Sequence, residues 1–121
     1  MVTESKIRHL EPDITVVEIS GRLALGNVLV SLEYSMRRLI EEGAKKVIVD
    51  LTGLENIDSA GIGVLVACNG LMEQGGGQMR VAGARGPVAR AFEIVHMDRI
   101  ATLDPDLEAA RSHLTAGGAA G

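Results

Sequence analysis

Three kinds of side chain in this sequence have the chemistry to do work. They are the hydroxyl of Ser59 beside the carboxylate of Asp58, the single thiol of Cys68, and the imidazoles of His9, His96 and His113. The first pair stands out by its setting. A β-branched run, Val47-Ile48-Val49-Asp50-Leu51, is followed by Thr52 to Asn56 and then by Ile57-Asp58-Ser59-Ala60-Gly61-Ile62-Gly63. That order sets a serine at the N-terminal edge of a helix entered from a strand, where free backbone N–H groups and the helix dipole favour an anion. Phosphorylation there would add about −1.5 to −2 charges beside Asp58, leaving the fold tolerant while changing any partner surface sharply. Asp and Ser are also the usual helix caps, and capping does not exclude modification. Gly61 and Gly63 each cost about 1 kcal/mol in a helix interior relative to Ala, a cost that close packing or close approach of a partner would offset.

The remaining groups do not assemble into a catalytic pattern. A serine elbow needs Gly-x-Ser-x-Gly, but Ile57 stands two before Ser59 and no His/Asp constellation accompanies it. Gly75-Gly76-Gly77 leads into Gln78-Met79-Arg80 rather than the Gly-Lys-Ser/Thr of a phosphate-binding loop. Gly61-Ile62-Gly63 continues into Val64-Leu65-Val66, without the third glycine of a dinucleotide fingerprint. The three histidines are far apart and read as surface or helix-end residues. Cys68, inside an apolar helix, reads as a small buried hydrophobe. Asp50 is a candidate ligand-facing carboxylate whose simpler reading is an exposed strand-end residue. Arg80, Arg85, Arg90 and Arg99 form a loose basic set, mostly solvated. No metal and no cofactor are expected.

The elements that must position Asp58 and Ser59 follow from the pattern around them. Residues 4 to 20 read as a hairpin, with Ile7 in a short strand, a turn at Glu11-Pro12-Asp13 and a second strand over 14–19. After Gly21 a loop is expected. Leu29, Leu32, Met36, Leu39 and Ile40 recur at helical spacing, with Asn27 as N-cap and Gly43 as stop. Lys46 to Leu51 reads as a central strand, 53–57 as a loop, and a second helix runs from Asp58-Ser59 to about Gln74, ended by the triple glycine. Residues 79–83 form another strand, and Pro87 opens a third helix through about Val95. Residues 99–103 look like a short edge strand or extended segment. Asp104 is the expected N-cap of a last helix carrying Leu107, Ala110, Arg111 and Leu114, and residues 115–121 read as a flexible tail after a single domain over 1–114. The implied fold is α/β, a compact mixed sheet of four to five strands packed with about four helices.

Composition narrows the class further. The charge balance of 12 − 16 = −4, with one Tyr and one Phe, argues against direct nucleic-acid binding, which wants basic patches and stacking platforms. One cysteine cannot form an internal disulfide, which fits a reducing compartment. The longest apolar stretch, residues 60–68, is half the roughly 18 residues of a transmembrane helix, and no secretory signal is readable, so a cytoplasmic protein without membrane insertion is expected.

The hairpin, Gly21-Arg22-Leu23, a helix, Val47-Ile48-Val49-Asp50-Leu51, Ile57-Asp58-Ser59-Ala60-Gly61-Ile62-Gly63 and the glycine-rich turn before Met79-Arg80-Val81 together resemble the STAS domain of bacterial anti-sigma factor antagonists. The resemblance covers about residues 14–114, and its most specific element is Asp-Ser-x-Gly-x-Gly after the central strand. It implies a non-catalytic partner switch acting on transcription. Ser59 would be the phosphate acceptor of an anti-sigma factor that is also a serine kinase, and a PP2C-type phosphatase would reverse the modification. The unphosphorylated form would bind the anti-sigma factor and free the sigma factor. The docking face would comprise Asn56, Asp58, Ser59, Ala60, Gly61, Ile62, Gly63 and Val66, with Ile62 and Val66 as an apolar patch beside the acceptor. Two positions depart from the family's habit: Ala24 stands where an aspartate is common, and Ala60 where a second hydroxyl often follows the acceptor. The alternative within the same fold is a scaffold or accessory subunit of a stress-signalling complex or transporter, with Ser59 only a cap. A small nucleotide- or ligand-binding module is a third class, and a weak homodimer is compatible with any of them.

Overall fold

The computed structural model describes residues 4–24 and 26–120. Strands β1 (Glu4–Leu10) and β2 (Ile14–Leu23) form the antiparallel hairpin. They are followed by α1 (Asn27–Glu41), β3 (Lys46–Asp50), β4 (Leu54–Ile57), α2 (Ser59–Gln74), β5 (Gln78–Ala82), α3 (Gly86–Ile94), a 3₁₀ turn (Met97–Arg99), β6 (Thr102–Asp104) and α4 (Leu107–Ala120). The sheet order is β1-β2-β3-β5-β6, with β4 paired to β2; all pairs other than the hairpin are parallel.

Period-two alternation along the strands explains the layers. Val17, Ile19, Val47, Val49, Met79 and Val81 face the main core with Leu29, Leu32 and Met36 of α1, Leu65, Cys68 and Met72 of α2, and Val88 and Phe92 of α3. The intervening Ile14, Val16, Ile48 and Ala82 face α4 through Ala110 and Leu114. Every residue from Val47 to Asp50 is therefore buried, as expected of a strand covered on both faces. Helix α1 ends as its sequence suggests: Gly43 takes φ 96°, and the amides of Gly43 and Ala44 close on the carbonyls of Ile40 and Leu39.

Several local expectations are corrected. The sheet has six strands among the described residues, because the expected loop over 53–57 contains β4. The chain after Gly21 is also strand, and the two stretches pair with each other. Only tertiary pairing explains β4, since Glu55 and Asn56 are polar and exposed and the strand is four residues long. The N-cap of α1 is Gly26, with Asn27 the first helical residue. The edge strand expected within 99–103 is present as β6 from Thr102, while Arg99 closes the 3₁₀ turn instead of being extended. Asp106, rather than Asp104, accepts the Ala109 amide at 2.8 Å to cap α4. Asp50 is 7% exposed, its Oδ1 accepting the Thr52 amide at 3.1 Å and the Thr52 hydroxyl at 2.6 Å.

Asp104 has a larger duty than a cap. Its side chain, 1% exposed, accepts Arg80 Nε at 2.6 Å, Arg80 Nη2 at 3.1 Å and His113 Nδ1 at 2.6 Å, tying β5, β6 and α4 together. Burial pushes the carboxyl pKa up, but the hydrogen bonds from Arg80 and His113 outweigh it and hold the pKa below the usual carboxylate range. A depressed carboxyl pKa contributes stability that is present above the unfolded value, about 3.9, and is lost as pH falls through the folded one. Asp104→Asn should therefore cost about 3 kcal/mol in urea melts at neutral pH, since it leaves Arg80 part-buried without its anion. The gap between variant and parent should shrink as the melts are repeated from pH 5 down to pH about 3.

Candidate functional site

The site forms where β2 and β4 end together and α2 begins. Arg22 registers with Asn56 and Leu23 with Ile57, after a register shift at Gly21/Arg22. The Asp58 amide then donates to the Leu23 carbonyl at 3.1 Å, so the chain leaves β4 still tethered to β2. Asp58 is extended (φ −107°, ψ −178°), and its Oδ1 accepts the Gly61 amide at 2.8 Å while its carbonyl accepts the Ile62 amide at 3.0 Å. Asp58 is thus the N-cap of α2. Ser59 is the first helical residue, exposed and released from capping duty.

Gly61 sets the approach of α2 to the sheet. A Cβ at this position would lie 2.5 Å from the Leu23 carbonyl oxygen and 2.8 Å from Ile57 Cγ1, so only glycine lets the first turn sit on the strand end. Gly63 and Gly70 differ: a Cβ on either meets nothing within 4 Å. Of the residues expected at a docking face, Asn56, Asp58, Ser59 and Gly63 are exposed together around the start of α2. Ala60, Ile62 and Val66 are half-buried against the main core, offering an edge rather than a full apolar face, and Gly61 is buried. The structure adds Arg22 and Glu55, both exposed on the two paired strand ends. The one sequence signal for Arg22 was its place in Gly21-Arg22-Leu23; Glu55 had none, because β4 was not legible.

The other candidate groups lie elsewhere. Cys68 is buried in α2, and burial, with a smaller push from Glu33, raises its thiol pKa to about 11. His9 lies on β1 with its Nδ1 3.5 Å from the Thr15 hydroxyl. His96 is the left-handed residue after α3, and His113 joins Asp104 on α4. Among the described residues no group of acidic, His or Cys side chains could hold a metal ion. No helix there is long and apolar enough to cross a membrane.

A family profile described as STAS domain matches residues 7–110. Among solved structures, the chain superposes on an anti-sigma factor antagonist from Mycobacterium paratuberculosis at 23% identity, covering 93% of each chain with a TM-score of 0.79. It also matches the phosphorylated form of the Bacillus cell fate determinant SpoIIAA at 16% identity, covering 92% of this chain and 99% of that one, TM-score 0.72. A sulfate transporter family protein from Wolinella succinogenes matches at 13% identity over 88% of each chain, TM-score 0.70. Likeness at these identities carries the fold, and a fold shared by all three does not choose among their roles.

Two outcomes follow from the geometry. Gly61→Ala should lower stability by about 1–3 kcal/mol through overpacking, whereas Gly63→Ala should raise it by up to about 1 kcal/mol; equal effects in thermal melts would remove the account of Gly61. At pH 8 the folded protein should leave Cys68 unalkylated by iodoacetamide over hours, with labelling appearing once urea unfolds it.

Proposed function

The chain belongs to the STAS domain family, and on that footing we propose that it is an anti-sigma factor antagonist switched by phosphorylation of Ser59. The single observation that carries this reading is the division of labour at the start of α2: Asp58 caps the helix, leaving Ser59 exposed as its first residue. A kinase needs a reachable hydroxyl, and a switch needs a large charge change that the domain survives. Both conditions fit a serine whose loss or modification leaves the cap in place.

The partner in this reading is an anti-sigma factor that is also a serine kinase. It docks on Asn56, Asp58, Ser59, Gly63 and the half-buried edge of Ala60, Ile62 and Val66, and its capture in the cytoplasm frees the sigma factor. Phosphate on Ser59 stands beside Asp58 and on the same rim as Glu55. Two charges 4 Å apart near a protein surface interact by about 4 kcal/mol, so a single opposed contact suffices for a hundredfold or larger change in affinity. A PP2C-type phosphatase restores the binding form. The chain itself needs no catalytic group for this role.

The test is binding of purified variants to the anti-sigma factor encoded by the same organism, after incubation with ATP. Ser59→Ala should bind as the parent does and take up no phosphate; Ser59→Asp should bind at least about tenfold more weakly. Equal affinity of both variants, or recovery of the unmodified chain in a stable large assembly with no kinase, would replace the switch with the scaffold role.

A further inference from the structure

The face of the sheet that carries α4 is only partly covered. The small cluster under α4 uses Ile14, Val16, Ile48 and Ala82. Two residues further along β2 and β3, on the same face by strand alternation, stand Glu18 and Asp50, which register with each other. Lys6 of β1 registers with Glu18 on the other side. These three, with Ser20, Thr52 and Gly53, line a cleft of about 360 Å³.

Two of its charged groups are uncommitted. Asp50 is 7% exposed; both of its hydrogen bonds, from Thr52, fall on Oδ1. Among the described residues Oδ2 accepts nothing, and it is not sealed inside the protein, so it opens to the cleft. A carboxylate this buried with no cation beside it is costly, and a positive group placed on Oδ2 relieves that cost. Lys6, exposed on the opposite wall, likewise has no ion-pair partner among the described residues, because the neighbouring Glu18 is held by Arg8 at 3.1 Å. Positive charge therefore lies along the edge strand, at Lys6 and Arg8, and negative charge inside it, at Glu18 and Asp50. Lys6 and Asp50 are two strands apart, roughly 10 Å between Cα atoms, a gap suited to a small molecule and not bridged by the side chains themselves. The anionic wall is closely packed: a Cβ on Gly83 would collide with the Thr52 hydroxyl, and one on Gly53 would lie 3.0 Å from Ser20 Cβ.

We propose that this cleft binds a small zwitterion of the α-amino acid class, with its ammonium on Asp50 Oδ2 and the Ser20 hydroxyl and its carboxylate on Lys6 Nζ. The test is amide chemical-shift titration of the full chain with the amino acid glycine, and with methylammonium and acetate as separate half-ligands. Glycine should shift the amides of Lys6, Ser20, Thr52 and Gly53 saturably, with each half-ligand binding at least about tenfold more weakly. Lys6→Met, a change at an exposed strand position that leaves the fold intact, should weaken glycine binding by a similar factor, as should Asp50→Asn. Absence of saturable shifts at these amides, unchanged affinity in Lys6→Met, or methylammonium binding as tightly as glycine would each overturn the proposal.

Discussion

The carbonyl of Leu23 is the point on which the site turns. It accepts the Asp58 amide and lies directly beneath the missing side chain of Gly61, so the last peptide of β2 is both tether and seat for α2. A helix that approaches a strand end this closely cannot rotate about its axis without losing the cap. The direction in which Ser59 points is thereby set by the backbone contacts at Leu23 and Gly61 together with the Asp58 cap. The short β4 makes the same arrangement possible from the other side, since pairing Leu54 to Ile57 against the end of β2 delivers Asp58 to its position.

Around that seat the sheet divides its work between two faces. The larger core, under α1, α2 and α3, is apolar and continuous and holds the helix that bears Ser59. The other face is mixed. Its apolar strip is short, and charge flanks it: Lys6, Glu18 and Asp50 on β1, β2 and β3, and the Arg80–Asp104–His113 group on β5, β6 and α4. Because side chains alternate along every strand, neither face can be altered by sliding a strand one residue without exchanging apolar for charged positions.

Much of the architecture was legible in the sequence, because β3 with its β-branched run and α1 with its helical spacing announce themselves locally. The Asp58-Ser59 helix start was legible too, from the change of pattern after Ile57. What was not legible depends on long-range pairing. Glu55 and Asn56 look like loop residues until β2 is extended beyond Gly21 to meet them. Asp104, followed by Pro105, has the look of a helix cap, and only Arg80 and His113, distant in sequence, reveal why it is buried. Asp50 likewise reads as a strand-end residue until Gly83 and Thr52 close over it. Among the site residues, the sequence marked Gly61 and Gly63 alike, and only the backbone contact at Gly61 separates them.

The modest size of the cluster beneath α4, six buried side chains against nineteen on the other face among the described residues, divides the molecule into unequal cooperative units. Local opening draws first on regions with few buried apolar contacts. Helix α4 can therefore come away from the sheet while β2, β4 and α2 remain assembled, so fluctuations at the end of the chain leave the orientation of Ser59 untouched. The surface around Ser59 is in this sense insulated from the smaller of the two cores.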